Sequence, residues 1–494
     1  MAHLVLLPIL ISLTGAILLL LFSGTLRSWL ATTVMAASFA TSGWLFWQVI
    51  NTGTALVFHS GGWFLNGMPL GITLVADWLS VLFVVMSQLV LLLGFIYGLG
   101  CKDNVVQYPT FYTLFLLLAT GLTGALLTGD LFNLFVFAEL LVISGTILTA
   151  VSDDRYGTEA AFKYFYISLL AAAFLLLACG ILYVDYGTLN MAQLGVAIAE
   201  EMMPLTPIAA ALLLATFMVK SATVPFHFWQ PDFHTAAPTP VSATLSAVVV
   251  KLGIYGYLRL TTLLFVEQAL LIQNILLAVG IAGIVFGGLA AIGTNNAKRM
   301  LAYSTLAQIG FILVGIGWGT SLSIAAALVF TFNHALIKAA MLMLAGAIAS
   351  RAPIKSADFA KIIAVGHHHP QMGVLFFIGA LALAGIPPTN GFISKWLIFN
   401  SGIVSGQYLT LALISIAAIL TLIYTIRAFM HVWWYTTPSK LPYKGGDQLI
   451  APAILILLVL LLGLWPNPLV TVANETTLWL ETPQPYIESV LGRN

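Results

Sequence analysis

The stretch "FNHALIKAAMLMLAG" at residues 332–346 places His334 and Lys338 four positions apart in a segment otherwise fit for lipid. Residues at i and i+4 share one face of a helix, so the two side chains are in reach of each other. A lysine near the middle of a bilayer costs about 2.5–3.5 kcal/mol on insertion scales, which marks it as a functional group by default. Imidazole titrates near neutrality and desolvation favours an uncharged amine, so such a pair can pass protons at physiological pH. Four more ionisable residues sit inside apolar runs: Glu139 in "GDLFNLFVFAELLVISG", Lys220 in "MVKSATVPFHFWQP", Lys251 in "SAVVVKLGIYGYLRL" and Lys395 in "GIPPTNGFISKW". If all are ionised, the lysines outnumber the single carboxylate, so pairing alone cannot neutralise the interior. A chain of titratable groups spread over several helices, Glu139, Lys220, Lys251, His334, Lys338 and Lys395, is instead suited to moving protons laterally.

Other candidates carry less. His227 and His234 flank the break expected after Lys220 on its cytoplasmic side, where they could admit protons. The run "HHH" at 367–369 has adjacent side chains that cannot all face one metal, and is expected to be a solvated loop. Asp77 and Asp130 fall towards the outer ends of helices, where capping or interaction with the helix dipole is their expected role. The two cysteines, Cys101 in a loop and Cys179 within a helix, are not expected to form a disulfide, a redox centre or a metal site. With no Gly-rich phosphate loop, nucleophile motif or zinc spacing, the sequence implies neither a cofactor nor an enzyme.

The elements that must hold these residues are membrane helices. The chain has 494 residues, 60% of them hydrophobic and 7% charged, and a mean hydropathy of +1.03, against about 25% charged residues in a soluble domain. A hydrocarbon core needs about 20 apolar residues per helix, and runs of that length recur throughout. Charged, Gly and Pro punctuation divides them into about fourteen helices, near 2–22, 27–51, 73–99, 109–128, 130–150, 160–184, 207–235, 240–264, 270–294, 301–319, 321–349, 371–401, 408–434 and 449–470. The first run lacks a basic leader and is expected to be a retained helix. With the N-terminus outside, Arg27, Lys102, Arg155, Lys163, Lys298, Arg299, Arg351, Lys355, Lys361, Arg427, Lys440 and Lys444 fall on the cytoplasmic side, and only Arg259 and Arg493 near the outer side. That asymmetry places both termini outside.

Two spans carry helix breakers beside a lysine, "MVKSATVPFHFWQP" and "GIPPTNGFISKW". Broken backbone at membrane depth is tolerated only against protein or water, and paired discontinuous helices mark transporters built on inverted repeats. The expected fold is all-α and polytopic, a single membrane domain over 1–494 with inverted five-helix repeats at 109–264 and 270–434, interrupted in helices 7 and 12.

These motifs, with "VKSATVPFHFWQPDFHTAAPTPVSATLSAVVVKLGIYGYLRL" between them, resemble the proton-translocating antiporter family. That family is shared by Mrp-type multisubunit cation/proton antiporters, membrane-bound hydrogenases and the membrane arm of respiratory complex I. The resemblance implies that Glu139 is the fifth-helix glutamate paired with Lys220 of the broken seventh helix. It makes Lys251 the eighth-helix relay lysine, His334 and Lys338 the eleventh-helix pair, and Lys395 the terminal lysine of the broken twelfth helix. "GGWFLNGMPLGITLVADWLS" and "GDLFNLFVFAELL" look most like D-type subunits of Mrp antiporters, and Lys395 argues against the complex I type that has glutamate there. "HTAAPTPVSA" departs towards the complex I and A-type forms.

The expected function is therefore a proton-translocating subunit of a multisubunit Na+/H+ antiporter in the inner (plasma) membrane. Its partners would be other membrane subunits, protons, Na+ and lipid, with no nucleic acid. The alternative is the proton-pumping membrane subunit of a redox-driven complex, an NADH:quinone oxidoreductase or a membrane-bound hydrogenase. No cluster of carboxylates suited to Na+ accompanies Glu139, so the cation path is expected in a partner.

Overall fold

The structure is a computed structural model that describes residues 2–492 except 66–67, 104–105, 107, 109, 152–154, 353–355, 364 and 436–444. Of the residues used for orientation, Lys355, Lys440, Lys444 and Arg493 lie outside the described ones. The helices run in order α1 (His3–Leu21), α2 (Gly24–Thr52), α3 (Trp78–Leu99), α4 (Thr110–Leu127), α5 (Leu131–Ala150) and α6 (Arg155–Tyr186). There follow the short α7 (Met191–Glu200), then α8 (Thr206–Lys220), α9 (Trp229–Ala236), α10 (Thr239–Leu264), α11 (Ala269–Gly293), α12 (Ala297–Gly317) and α13 (Ser321–Ala349). The last are α14 (Pro370–Ala384), α15 (Asn390–Val404), α16 (Tyr408–Trp434), α17 (Ile450–Leu464), α18 (Asn467–Leu480) and α19 (Gln484–Leu491).

Ten of the described helices are long and apolar enough to cross a membrane, or eleven when α17 and α18, bent by 77°, count as one span. The chain is an α-helical multi-pass membrane protein. The other spans expected from sequence coincide with α2 and with two interrupted pairs, α8/α9 and α14/α15. The last span expected from sequence continues to 470, whereas in the structure Pro466 and Pro468 turn the chain after Leu464 and start a new helix, because proline cannot continue the ladder but fits a first turn. The segment between α2 and α3 closes its backbone hydrogen bonds as two short antiparallel pairs, Leu56–His59 with Thr73–Ala76 and Phe64–Leu65 with Met68–Pro69.

Burial follows sequence. α12 and α13 are each 94% buried over their spanning windows and α10 is wholly buried, whereas less than half of each such window is buried in α1, α11 and α16. α13 packs against α3, α10, α12, α14, α15, α17 and α18, which makes it the axis of the molecule. Small residues set the closest approaches, as in other membrane helix pairs. A Cβ on Gly253 of α10 would stand 2.6 Å from the Phe217 carbonyl oxygen and 2.5 Å from Ser221 Cβ, so α10 lies directly against the end of α8.

Both expected breaks are present. α8 ends at Lys220, Ala222 adopts a positive φ of 53°, and helix resumes at Trp229. α14 ends at Ala384, capped by Gly385, whose φ of 82° is a left-handed conformation that glycine adopts without Cβ strain, and α15 starts at Asn390.

Candidate functional site

Each break exposes the C-terminal carbonyls of a half-helix, which no further turn can satisfy and which carry the negative end of the helix dipole. A lysine sits at both. Lys220 is the last residue of α8, and its Nζ lies 3.6 Å from Glu139 Oε1 on α5. Lys395, on the second turn of α15, reaches back to donate to the carbonyl of Ala384, the last residue of α14, at 2.9 Å. Its ammonium also lies 5.4 Å from the centre of the Phe311 ring, a cation–π arrangement.

The other basic groups lie on α10 and α13. Lys251 Nζ donates to the Ser246 carbonyl at 3.1 Å, beside a π-helical turn over Leu245–Val249. Such wide turns free backbone groups and recur at functional sites. Lys338 Nζ donates across to the Leu301 carbonyl of α12 at 2.7 Å. Lys251, His334 and Lys338 are at most 1% exposed, and His334 lies in the field of both lysines. Among the described residues Lys220 has a carboxylate in ion-pair range, whereas Lys251, Lys338 and Lys395 are held by carbonyl oxygens. A proton arriving at or leaving one of these three changes the interior charge with no fixed counter-ion beside it.

His334 and Lys338 share a helix face as the spacing requires, yet they part in their contacts: neither His334 ring nitrogen has a hydrogen-bond partner among the described residues. A cavity of about 10 Å³ lined by Gln308, His334, Ser394 and Lys395 joins the histidine to the last lysine. That is near the lower limit of space for one water. Ser394 is itself fixed by Asn333, whose amide donates to its hydroxyl at 2.9 Å and to the Asn390 carbonyl at 3.2 Å, while Asn390 returns a bond to Asn333 at 2.9 Å. This amide clasp pins the first turn of α15 to α13.

The two histidines near the first break separate. His234 is fully buried, with Nδ1 3.4 Å from Ser242 Oγ, in the field of Lys338, Lys298 and Lys251. His227 is half-buried against the Phe286 ring. The run at 367–369 is not the open loop expected: a 3-10 turn over Val365–His368 holds His367, exposed like His368, with its Nε2 3.2 Å from the Tyr435 carbonyl, and His369 is half-buried.

Asp77 caps α3, accepting from the Ser80 amide at 2.9 Å, and Asp130 caps α5, accepting from the Asn133 amide at 2.8 Å, both as expected. Three clasps built on aspartates have no counterpart in the sequence expectations. Asp77 also takes a bidentate pair from Arg259 of α10, at 2.8 and 2.6 Å, inside a shell of Ser80, Tyr255 and Tyr486. In the sequence the outer-side arginine and the aspartate stand 182 positions apart, with nothing to join them. Asp232 of α9 binds Lys163 of α6 at 2.8 Å and Arg299 of α12 at 2.9 Å, tying the second half of the broken helix to both neighbours. Asp447, ahead of α17, accepts from Tyr97 at 2.6 Å and from the Lys102 amide at 2.8 Å.

Interrupted helices packed round a buried axis, with buried basic groups on several of them, form an architecture suited to moving ions through a membrane protein. The profile described as NADH:quinone oxidoreductase/Mrp antiporter, TM matches residues 128–421, and the chain belongs to that family. It is 33% identical to the D-type subunit of the Na(+)/H(+) antiporter of Bacillus subtilis, over 99% of this chain and 100% of that protein. Among solved structures it is similar to a chain of the Mrp complex from Dietzia sp. DQ12-45-1b, with a TM-score of 0.87, 26% identity and 99% of each chain covered. A chain of the membrane-bound sulfane sulfur reductase, an archaeal respiratory membrane complex, gives a TM-score of 0.89 with 28% identity, again over 99% of each chain.

Proposed function

We propose that this chain is the proton-translocating D-type subunit of a multisubunit Na+/H+ antiporter, acting in a plasma membrane beside other membrane subunits. The observation that carries the reading is the row Glu139–Lys220, Lys251, His334–Lys338, Lys395, four lysines against one carboxylate inside the helical core. Full-length similarity to a Na(+)/H(+) antiporter subunit of Bacillus subtilis supports the Na+ assignment. In this reading Glu139 holds or releases the Lys220 proton, Lys251 and the His334–Lys338 pair hand it across, and Lys395 is the outlet. His227 admits protons from the cytoplasmic side, with His234 behind it. Inverted units at 109–264 and 270–434 rest on the interruption of the fourth helix in each, and the arginine and lysine asymmetry supports both termini outside.

The test is Na+-dependent proton movement in vesicles carrying the whole complex. Na+ addition should collapse a preformed ΔpH, and a chain with Lys338→Ala should assemble without that response. A wild-type response from Lys338→Ala would overturn the relay. The similarity to the sulfane sulfur reductase chain favours a second reading, the same relay driven by redox chemistry in a partner. Purifying the native complex separates them: small hydrophobic antiporter subunits support the first, iron–sulfur subunits the second.

A further inference from the structure

The relay has a gap between two of its lysines. Lys251 on α10 and Lys338 on α13 bond to carbonyls of different helices, Ser246 of α10 and Leu301 of α12, and neither lysine bonds to the other's acceptor. What joins those two carbonyls is a pair of hydroxyls. Ser246 Oγ and Thr305 Oγ1 lie 2.8 Å apart across the α10–α12 interface, and both residues are fully buried. Thr305 Oγ1 donates at 3.1 Å to the same Leu301 carbonyl that accepts Lys338 Nζ at 2.7 Å. Ser246 supplies both the carbonyl that holds Lys251 and the hydroxyl that meets Thr305. A buried hydroxyl in a helix usually satisfies itself on the carbonyl one turn back, and a Ser–Thr contact between helices is not needed for that.

We propose that the Ser246 and Thr305 hydroxyls are the proton bridge between Lys251 and Lys338. The inference rests on the relay reading above. A hydroxyl both donates and accepts, so two in contact can pass a proton where a carbonyl cannot. The step balances without a co-reactant. The flexible Lys251 stem swings Nζ from the Ser246 carbonyl to the hydroxyl of the same residue, and an N–H bond of the ammonium breaks as its proton joins Ser246 Oγ. The Ser246 proton moves to Thr305 Oγ1, and the Thr305 proton, released from the Leu301 carbonyl, joins the neutral amine of Lys338, which shares that acceptor. Lys251 ends neutral, Lys338 ends as ammonium, and both hydroxyls are restored with their protons turned about. They turn back before the next transfer, a rotation about a single bond.

The experiment uses the assembled complex in membrane vesicles, with Thr305→Val, Thr305→Ser, Ser246→Ala and Ser246→Thr compared with Lys251→Ala and Lys338→Ala. Thr305→Val keeps the branched shape and removes only the hydroxyl. It and Ser246→Ala should assemble normally and lose about 100-fold or more of proton transport, the range a positioned proton-transfer group contributes. Thr305→Ser and Ser246→Thr, which keep the hydroxyl, should restore most of it, a rescue that a packing role for the pair would not produce. Full transport in Thr305→Val or Ser246→Ala, with both lysine variants inactive, overturns the bridge and leaves the relay standing. Full transport in the lysine variants overturns the relay itself. Equal loss in Thr305→Val and Thr305→Ser assigns the site to packing and also overturns the bridge.

Discussion

At the scale of single residues, the identity and position of each charge matter more than their number. Among the described residues Glu139 and Lys220 form the one ion pair in the row, at 3.6 Å, long enough that no hydrogen bond fixes it. A pair held that loosely can open and close as a unit. Glu139→Gln should therefore impair transport severely, because an amide cannot hold the Lys220 proton, while Glu139→Asp keeps the charge and part of the activity. Combined with Lys220→Ala, the effects should fall well short of adding, as for groups acting together. Simple additivity of two mild defects in a transport assay would make the pair structural. Lys395 is different in kind, since its partner is a backbone carbonyl. Lys395→Ala should abolish transport with assembly intact, and normal antiport from an assembled variant would remove it from the path. The sequence shows these residues plainly, because charge within an apolar run is conspicuous at any level of similarity. It could not show the bonds they make, since carbonyl acceptors are common to all residues and leave no mark in sequence.

At the scale of elements, the breaks and the buried clasps decide where those residues stand. Gly385 carries the left-handed turn that ends α14, and a Cβ there would come within 2.5 Å of Lys395 Cδ. Gly385→Ala should thus cost about 1–2 kcal/mol of backbone strain and displace the Lys395 stem. The expected readout is lost transport in a complex that still assembles, although Lys395 itself is unchanged; full activity would show that the break tolerates an ordinary residue. The Asp77–Arg259 pair ties α3 to α10, with Tyr486 of α19 over the guanidinium. Leaving one member of a buried pair alone typically costs about 3–5 kcal/mol. Asp77→Asn should accordingly lower the thermal unfolding temperature in detergent, and adding Arg259→Met should recover part of the loss. Proline and glycine announced both breaks in the sequence. The pair across α3 and α10 was hidden, because helices distant in the chain become neighbours only once packed.

For the whole molecule, the ionisable groups are spread over several helices, from Glu139, 20% exposed on α5, to Lys395 beside the second break, and do not gather in one pocket. Four buried lysines face one carboxylate in the helical core, an imbalance that partner subunits can complete. We therefore expect the purified chain alone to show no Na+/H+ antiport in proteoliposomes, and the complete complex to show it; antiport by the isolated chain would refute the need for partners. The sequence by itself determined the membrane class, the helical build, the two breaks and the presence of ionisable residues within apolar runs. Each of those follows from transfer free energy or from the backbone limits of proline and glycine, which act locally. Only the tertiary structure decided which carbonyls hold Lys251, Lys338 and Lys395, that Ser246 meets Thr305, that His234 lies inside while His227 stays near the surface, and that Asp77 finds Arg259. Those outcomes depend on the rotation and depth at which one helix packs on another, which is set jointly by side chains scattered over the whole chain.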